Sequence, residues 1–281
     1  MDRKCWFDYG TVIVTGASKG MGRGITEKLI KERNCNVIGI ARSEDKLAQL
    51  KEELGDKGYK FSYYCFDVSC EEKWKELAEN LQKDGIQPDV LINNAGVLPR
   101  FDRFGHYDVE YIKNAMEINF YSAVYSMHWL MPLLLKSKNP GIVNIASSAA
   151  LCSLAGTSVY SASKAALKGL TEAVREEYRG RCYVGLVCPG FTKTEIFSNQ
   201  EGDVSSSQKM LDMVSSECDY VVNKIVSGMW KRKALMVIGI DAKLMGDGNR
   251  LLPVFVSKAS SFVLKLSKLD MFSGTFSDDE G

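Results

Sequence analysis

The sequence predicts an α/β fold with a single Rossmann-like, doubly wound parallel sheet and helices on both faces. Short apolar, β-branched runs alternate along the chain with longer segments whose apolar residues recur at helical spacing. A chain of 281 residues can fill one large core, and we find neither an internal repeat nor a long low-complexity linker. Apolar strands separated by helices pair in parallel, and helices then cover both faces of the sheet.

The first unit is a strand at Val12–Val14, a glycine-rich turn and a helix from Met21 to Arg33. Further strands are predicted at Val37–Ile40, Phe61–Phe66, Val90–Ile92, Ile142–Ile145 and Tyr183–Val187. The helices between them are predicted at Glu44–Leu54, Glu71–Leu81, Tyr111–Leu135 and Ser158–Tyr178. Ligands of such sheets bind beyond the carboxyl ends of the strands, so the residues that follow each strand are the first candidates for a site.

The overall composition excludes several classes of function. The 36 basic and 35 acidic residues give a formal charge of +1, so no global field favours nucleic acid. The eight cysteines are scattered, without a Cys-x-x-Cys pair, and there are two histidines, so we expect free thiols and no metal site. We also find no signal peptide and no run near the ~18 apolar residues of a spanning helix, which together with free thiols favours the cytoplasm.

A glycine-rich segment joins the first strand to the first helix. Gly16, Gly20 and Gly22 have the spacing Gly-x-x-x-Gly-x-Gly. Glycines there let the chain turn sharply and let backbone amides approach a pyrophosphate, whose charge the helix N-terminus favours. The segment therefore predicts a dinucleotide site, with a plain turn as the alternative, and its predicted contacts are Gly16, Ser18, Lys19, Gly20, Met21 and Gly22.

The end of the second strand indicates which dinucleotide binds. An enzyme that uses NAD places a carboxylate there to bond the ribose 2′-hydroxyl, but this chain has Ala41 followed by Arg42. Arg42 can meet a 2′-phosphate with a planar fork of donors, and Lys19 adds a second cation. The pair predicts NADP(H), although either cation alone is equally well explained as a solvated surface residue.

A tyrosine, a lysine and a serine form the candidate reactive group. Tyr160 and Lys164 are four residues apart, which places them on one side of the predicted helix. A tyrosine titrates near ~10, and a neighbouring cation favours its phenolate form. Ser147 follows the Ile142–Ile145 strand and reaches the same sheet edge; Ser148 is the alternative, because adjacent side chains of a strand point to opposite faces.

These motifs, together with Asn93-Asn94-Ala95-Gly96 after the fourth strand, resemble the short-chain dehydrogenase/reductase family over about Thr11 to Gly239. The resemblance implies an oxidoreductase that moves a hydride between a nicotinamide and a carbonyl or alcohol carbon. In its pattern Tyr160 exchanges a proton with the substrate oxygen, Ser147 bonds that oxygen, and Lys164 lowers the tyrosine pKa and bonds the nicotinamide ribose. Asn119 orders the proton path, with a buried structural amide as its alternative.

The resemblance also implies further cofactor contacts. Asp67, followed by Val68, contacts the adenine, with an acid near a helix N-terminus as its alternative. The remaining contacts fall in two groups: Asn94, Ala95 and Gly96 beside the adenine ribose, and Pro189, Gly190, Thr192 and Thr194 beside the nicotinamide, where Tyr160 and Lys164 also lie.

The residues expected around the substrate are mostly apolar, namely Leu98, Leu151, Leu154 and Phe191. The polar, serine-rich loop from Phe191 to Glu217 is also expected beside the substrate. They favour a small hydrophobic ketone or alcohol, such as a hydroxysteroid, unless several of the leucines belong to the core. His106 is expected at the surface. Two other functions stay open on this scaffold: a non-catalytic NADP(H)-binding redox sensor, and a lyase or epimerase.

The C-terminal part departs from the family pattern. We expect residues 1–247 to form the NADP(H)-binding and catalytic domain and residues 248–281 an amphipathic extension, apolar from Leu251 to Leu269 with interspersed lysines. The extension covers the substrate cleft, joins a subunit interface or lies on a membrane; we favour packing on the protein, with peripheral membrane contact as the alternative. The resemblance implies a homodimer or homotetramer, paired through the helices that carry Asn119 and Tyr160.

Overall fold

A computed structural model of the chain describes residues 5–193, 215–267 and 273–276. Seven strands form one parallel sheet in the order β3-β2-β1-β4-β5-β6-β7. Their bounds are β1 Thr11–Thr15, β2 Asn36–Ala41, β3 Phe61–Cys65, β4 Val90–Asn93, β5 Gly141–Ile145, β6 Tyr183–Pro189 and β7 Leu235–Ile238. The predicted fold class is confirmed.

Helices connect the strands and cover both faces of the sheet. In the described residues they are α1 Gly20–Arg33, α2 Glu44–Glu53, α3 Glu71–Lys83, α4 Val109–Met116, α5 Ser122–Leu134, α6 Ser158–Glu177, α7 Cys218–Trp230, α8 Ile240–Leu251, α9 Pro253–Ser267 and α10 Ser273–Phe276. Short 3₁₀ turns lie at Gly55–Lys60, Phe104–His106 and Ser148–Ala150. None of these described helices is long and apolar enough to cross a membrane.

The hydrophobic core consists of two layers, one on each side of the sheet. Because side chains alternate along a strand, Val12 and Val14 of β1 face one layer and Ile13 faces the other. The first layer is closed by α1, α2 and α7, and the second by α3, α5 and α6. Trp74 of α3 is fully buried in the second layer.

The long helix predicted from Tyr111 to Leu135 is interrupted. Helices α4 and α5 are joined by a π-helical turn at Glu117–Tyr121, which contains the buried Asn119. Side-chain periodicity does not show such a turn, because the chain stays helical through it. A single π turn inside a helix frequently marks a functional position.

The strand order reverses between β1 and β4, where β2 lies on one side of β1 and β4 on the other. This is the switch point at which open parallel sheets bind ligands. The Thr15 hydroxyl at the end of β1 accepts hydrogen bonds from the backbone amides of Asn94 and Ala95, each at 2.8 Å. It therefore fixes the start of the glycine turn against the segment that follows β4.

The C-terminal helices differ from the expectation that the apolar extension packs on the protein. Leu251, Phe255, Phe262 and Leu266 are each more than 60% exposed. Helix α8 runs through residues 247 and 248, so the division into residues 1–247 and 248–281 stays a prediction. Of the predicted loop from Phe191 to Glu217, residues 194–214 lie outside the described residues.

Candidate active site

The glycine turn after β1 has a geometry that favours glycine. Gly16 and Gly20 have φ angles of 66° and 52°, in the left-handed region that disfavours side chains. A Cβ on Gly22 would lie 2.2 Å from the carbonyl oxygen of Gly16 and 2.5 Å from Nδ2 of Asn94. The turn is therefore packed tightly against the segment after β4, and it leads directly into the N-terminus of α1, whose first amides have no partner within the helix.

A cavity of about 270 Å³ lies beside this turn. It is lined by most of the predicted dinucleotide contacts: Gly16, Ser18, Lys19, Gly20, Met21, Arg42, Asp67, Val68, Asn94, Ala95 and Gly96. Gly22 supports the turn from behind. Sequence reasoning missed Phe66, Val97, Ile118 and Lys46 in this cavity. Of these, Lys46 could have been predicted from the sequence as a further cation of the site, because it follows Arg42 by four residues across the start of α2.

One of the cations at this end of the cleft lies beside a carboxylate. Nη1 of Arg42 lies 3.5 Å from Oδ2 of Asp67. Oδ1 of Asp67 accepts hydrogen bonds from the amide and the hydroxyl of Ser69, at 3.0 and 2.7 Å. Burial tends to raise the pKa of Asp67, but the Ser69 bonds and the Arg42 charge outweigh it and lower that pKa. Asp67 thus combines the predicted cavity position with the local turn contact that was its alternative.

These residues fit a dinucleotide that carries a 2′-phosphate. A Cβ on Gly16 would lie 2.9 Å from Nδ2 of Asn94 and 3.2 Å from Cα of Ala95, both of which line the cavity, and the buried Ala41 at the end of β2 brings no carboxylate to it. Lys19, Arg42 and Lys46 all line the cavity, and the Arg42 side chain is 68% exposed. An exposed guanidinium can still present planar donors to a phosphate while one of its nitrogens faces Asp67.

The candidate reactive residues meet at the ends of β5 and β6. Ser147 follows β5, and its hydroxyl also accepts a hydrogen bond from the Ala149 amide at 3.2 Å. Tyr160 lies in the first turn of α6 and lines the same cavity as Ser147. Lys164, one turn later, is only 3% exposed, and its Nζ is 5.9 Å from the centre of the Tyr160 ring. Ser147 and Ser148 both line this cavity, but only the Ser147 hydroxyl influences the pKa of Tyr160, which favours Ser147 over the alternative, Ser148.

Burial shifts the pKa values of both titratable groups. It raises the pKa of Tyr160, against the opposing effect of the Ser147 hydroxyl, and it lowers the pKa of Lys164 to about 8. The resemblance had implied a lowered tyrosine pKa. The structure differs because burial disfavours both charged forms, and because the Lys164 amine donates to the Ile145 carbonyl at 3.2 Å. Tyr160 is therefore held in its protonated form, which is the form that can donate a proton.

Asn119 lies next to this group and uses its amide in structural bonds. Nδ2 donates to the Val97 carbonyl at 2.9 Å and to the Ser163 hydroxyl at 3.1 Å, and Oδ1 accepts the Val97 amide at 2.8 Å. A Cβ on Gly96 would lie 3.1 Å from both Oδ1 of Asn119 and Nζ of Lys164. These contacts fit the alternative of a structural amide, and the proton path through Asn119 stays a prediction.

The segment after β6 closes the same end of the cleft. Pro189, Gly190 and Thr192 line a second cavity, of about 100 Å³, together with Ser147, Tyr160 and Lys164. Asn94, Gly96, Met21 and Leu98 line both cavities, so the two form one cleft. Thr194, the remaining predicted contact, lies outside the described residues.

Asp241 of α8 fixes the segment after β6 and was missed by sequence reasoning. Its Oδ2 accepts the Phe191 amide at 2.8 Å. A Cβ on Gly190 would lie 2.0 Å from the same oxygen. No sequence motif indicates the role of Asp241, because its partner is a backbone amide 50 residues away in sequence.

The walls of the second cavity are largely apolar. Leu98, Leu154 and Phe191 line it as predicted, whereas Leu151 does not and instead lies against Gly246 of α8. Phe101, Thr157 and Met245 also line it and were not among the predicted substrate contacts. His106 is partly exposed, as expected, and its Nδ1 lies 2.7 Å from Oδ1 of Asp102.

Comparisons with known proteins agree with this geometry. A profile of the family described as short chain dehydrogenase matches residues 10–205. An NADPH-dependent pterin aldehyde reductase of Arabidopsis thaliana is 31% identical over 78% of this chain and 89% of its own. The 3beta-hydroxysteroid dehydrogenase 2 of Eggerthella lenta is 30% identical over 66% and 72%. The structure of an actinorhodin polyketide ketoreductase with NADPH matches with a TM-score of 0.73 and 25% identity, over 85% of this chain and 98% of that one.

Proposed function

Because the chain belongs to the short-chain dehydrogenase/reductase family, we propose that it is an NADP(H)-dependent oxidoreductase that reduces a ketone, or oxidises a secondary alcohol, on a small apolar substrate. A hydroxysteroid is one candidate substrate. The observation that carries the proposal is that Ser147, Tyr160 and the buried Lys164 line one cavity, which is continuous with the cavity at the glycine turn.

The proposed roles follow from the charge that develops during reduction. A carbonyl oxygen becomes more basic as its carbon is reduced, and the protonated Tyr160 donates its hydroxyl proton to that oxygen. Ser147 donates a hydrogen bond to the same oxygen and holds it next to Tyr160. When bound, the nicotinamide ring supplies the hydride in reduction and accepts it in oxidation. In the oxidative direction Tyr160 takes the proton from the substrate hydroxyl.

Lys164 supports this proton transfer through its charge. With its pKa lowered to about 8, the amine is mostly protonated at neutral pH. A cation one helical turn from Tyr160 stabilises the phenolate that remains after the proton has left, so it lowers the barrier without making the tyrosine acidic in the resting site.

The preference for NADP(H) rests on the cations around the first cavity. Lys19, Arg42 and Lys46 line it, and Ala41 stands where an NAD enzyme has its carboxylate. Two of the similar proteins support the same cofactor by name, one being described as NADPH-dependent and the other having been solved with NADPH.

The proposal of an apolar substrate is based on the residues that line the second cavity. Leu98, Phe101, Leu154, Phe191 and Met245 surround the polar group formed by Ser147 and Tyr160. A site of this kind binds an apolar body and orients one polar atom. The similarity to a hydroxysteroid dehydrogenase supports the candidate substrate class.

An assay of cofactor consumption tests the proposal. The purified protein is mixed with NADPH or NADH and with steroid ketones, quinones, small ketones and acyl-carrier ketones, and both cofactor absorbance and product are measured. We expect one alcohol formed per NADPH consumed, and a kcat/KM for NADPH about tenfold or more above that for NADH. Binding of NADPH without oxidation across the panel would support the redox sensor instead. Substrate turnover without net consumption of cofactor would support a lyase or epimerase.

A further inference from the structure

Helix α9 (Pro253–Ser267) turns its large apolar side chains away from the protein. Phe255 and Phe262 are 67% and 64% exposed. The partly buried positions include Val256, Ser260 and Leu264, which are spaced four residues apart and so share one side of the helix. A helix on the surface of a globular domain has the opposite arrangement, with its apolar side facing the core.

The exposed apolar surface continues onto α8 (Ile240–Leu251). We call the whole surface the apolar platform; each of its side chains is more than half exposed, and they are Ile240, Leu244, Leu251, Leu252, Val254, Phe255, Phe262, Val263 and Leu266. Soluble monomers seldom expose contiguous apolar patches larger than a few hundred Å², and larger ones mark interaction surfaces.

The charged residues of the platform's two helices are mainly basic. Helix α9 carries Lys258 and Lys265 and no acidic residue, and Lys243 and Arg250 lie on α8. Lys258 and Lys265 each follow a platform phenylalanine by three residues, so the lysines flank the phenylalanines on the helix surface. Helix α8 has two acidic residues, Asp241 and Asp247. Asp241 points inward to the Phe191 amide, so on these two helices only Asp247 opposes the charge of the four cations.

We propose that the apolar platform docks on an anionic membrane surface. Phenylalanine and leucine side chains enter the boundary between headgroups and acyl chains, while flanking lysines attract anionic lipid headgroups. A second copy of the chain fits this surface less well. A two-fold contact brings the same patch of both copies together, so the lysines of α9 would face the lysines of the other copy.

Docking in this way brings the catalytic cavity close to the lipid. Met245 of α8 lines the cavity, and its neighbour Leu244 belongs to the platform. Nδ2 of Asn249 donates to the Leu151 carbonyl at 2.8 Å, which ties α8 to the segment that follows the Ser148–Ala150 turn. A lipophilic ketone dissolved in the bilayer then has a short path to Ser147 and Tyr160; this last step rests on the proposed function.

Vesicle sedimentation with the full chain tests the docking. Wild type should sediment with mixed phosphatidylcholine–phosphatidylglycerol vesicles, more weakly with phosphatidylcholine alone, and more weakly at high salt. The double variant Phe255→Glu/Phe262→Glu should lower the partition coefficient about tenfold or more, because it removes two inserting rings and adds two negative charges. Tyr59→Glu is the matched control, since Tyr59 is 78% exposed on the Gly55–Lys60 turn.

A charge-reversal pair separates attraction to headgroups from apolar insertion. Lys258→Glu/Lys265→Glu should weaken binding to the anionic vesicles and leave the weak binding to phosphatidylcholine little changed. Lys113→Glu, at a lysine whose side chain is 67% exposed on α4, serves as control. Wild type that stays in solution with anionic vesicles would overturn the docking proposal. A Phe255→Glu/Phe262→Glu variant that binds the anionic vesicles normally would also overturn it. The same holds if the only effect of that variant is to convert an oligomer into monomers.

Kinetics distinguish failure of the docking from failure of the proposed function. The platform variants should keep the wild-type kcat/KM for a water-soluble ketone and lose rate with a ketone held in vesicles. Vesicle binding without reduction of any ketone would refute the function and leave the docking intact. Equal rates of wild type and platform variants on the vesicle-held ketone would refute the delivery from the bilayer.

Discussion

The two ends of the cleft are built from different parts of the polypeptide. At the glycine turn the binding surface is backbone, shaped by Gly16 and Gly20, with cations such as Arg42 that remain largely exposed. At the other end the surface is made of side chains, of which Lys164 is buried and Ser147 and Tyr160 are partly exposed, and desolvation shifts the pKa values of Tyr160 and Lys164. Under the proposed function, shape and exposed charge select the cofactor, whereas burial sets the protonation of Tyr160 and Lys164.

A network of buried polar residues supports the catalytic end of the cleft. Asn93 on β4 donates to Oδ1 of Asn144 on β5 at 2.9 Å, and Asn144 donates to the Thr171 hydroxyl on α6 at 2.9 Å. Ser126 of α5 donates to Oδ1 of Asn93 at 2.7 Å. These bonds tie α6, which carries Tyr160 and Lys164, to the centre of the sheet, so the reactive groups are positioned by the core.

The largest expected effect comes from a variant that changes the catalytic end of the cleft alone. Tyr160→Phe removes the proton donor and keeps the ring, so kcat should fall about 10²- to 10⁴-fold. The Kd for NADPH should change about twofold or less, because the ring still packs and the first cavity is untouched. Steady-state kinetics and a fluorescence titration measure the two quantities, with the exposed Tyr59→Phe as control. Near-normal turnover would remove Tyr160 from the mechanism.

The next effect breaks the backbone of the nucleotide end. Gly22→Ala places a Cβ 2.2 Å from the Gly16 carbonyl, so it should lower the free energy of unfolding by about 1–3 kcal/mol and weaken NADPH binding. Gly169→Ala is the matched control: Gly169 lies inside α6, and its added Cβ meets nothing within 4 Å. It should raise stability by about 0.5–1 kcal/mol. Equal unfolding midpoints for the two variants would contradict the tight packing of the turn.

The same comparison explains how much the sequence could predict. The succession of strands and helices along the chain, the glycine turn and the spacing of Ser147, Tyr160 and Lys164 follow from local patterns, and the structure brings those three residues together. The raised pKa of Tyr160, the role of Asp241 and the π turn at Asn119 depend on burial or on contacts far apart in sequence. The outward turn of α9 was missed because an amphipathic pattern shows which residues share a side and not which side faces the protein.

A third variant sharpens the contrast by changing exposed charge only. Ala41→Asp/Arg42→Ala adds the carboxylate of an NAD enzyme and removes the fork that would hold a 2′-phosphate. The ratio of kcat/KM for NADPH to that for NADH should fall about 10- to 100-fold, in line with the loss of a charge-assisted hydrogen bond. Arg42→Lys keeps the charge without the fork and should give an intermediate ratio. An unchanged ratio in the double variant would argue against the NADP(H) assignment.

The last prediction concerns the cost of burying a charge at the catalytic end. The pKa of Lys164 is about 8 in the folded chain and 10.5 for an ordinary lysine. Between these values the unfolded chain binds more protons, so the free energy of unfolding rises with pH from about 8 to about 10.5, with a slope of at most about 1.4 kcal/mol per pH unit from this group. Below pH 8 the destabilisation from the buried ammonium is fully present.

Lys164→Met should remove that rise, because the variant has no group to titrate there. It should also be more stable than wild type at neutral pH while losing activity, since the buried ammonium serves the reaction and not the fold. Urea unfolding between about pH 7 and about pH 9.5 measures both effects. Lys168→Met is the matched control, one turn further along α6, where Lys168 forms a partly exposed salt bridge with Glu172 at 2.9 Å. If Lys164→Met and wild type kept parallel pH profiles, the lysine would not be a buried charge, and burial could not be what sets the chemistry of this end of the cleft.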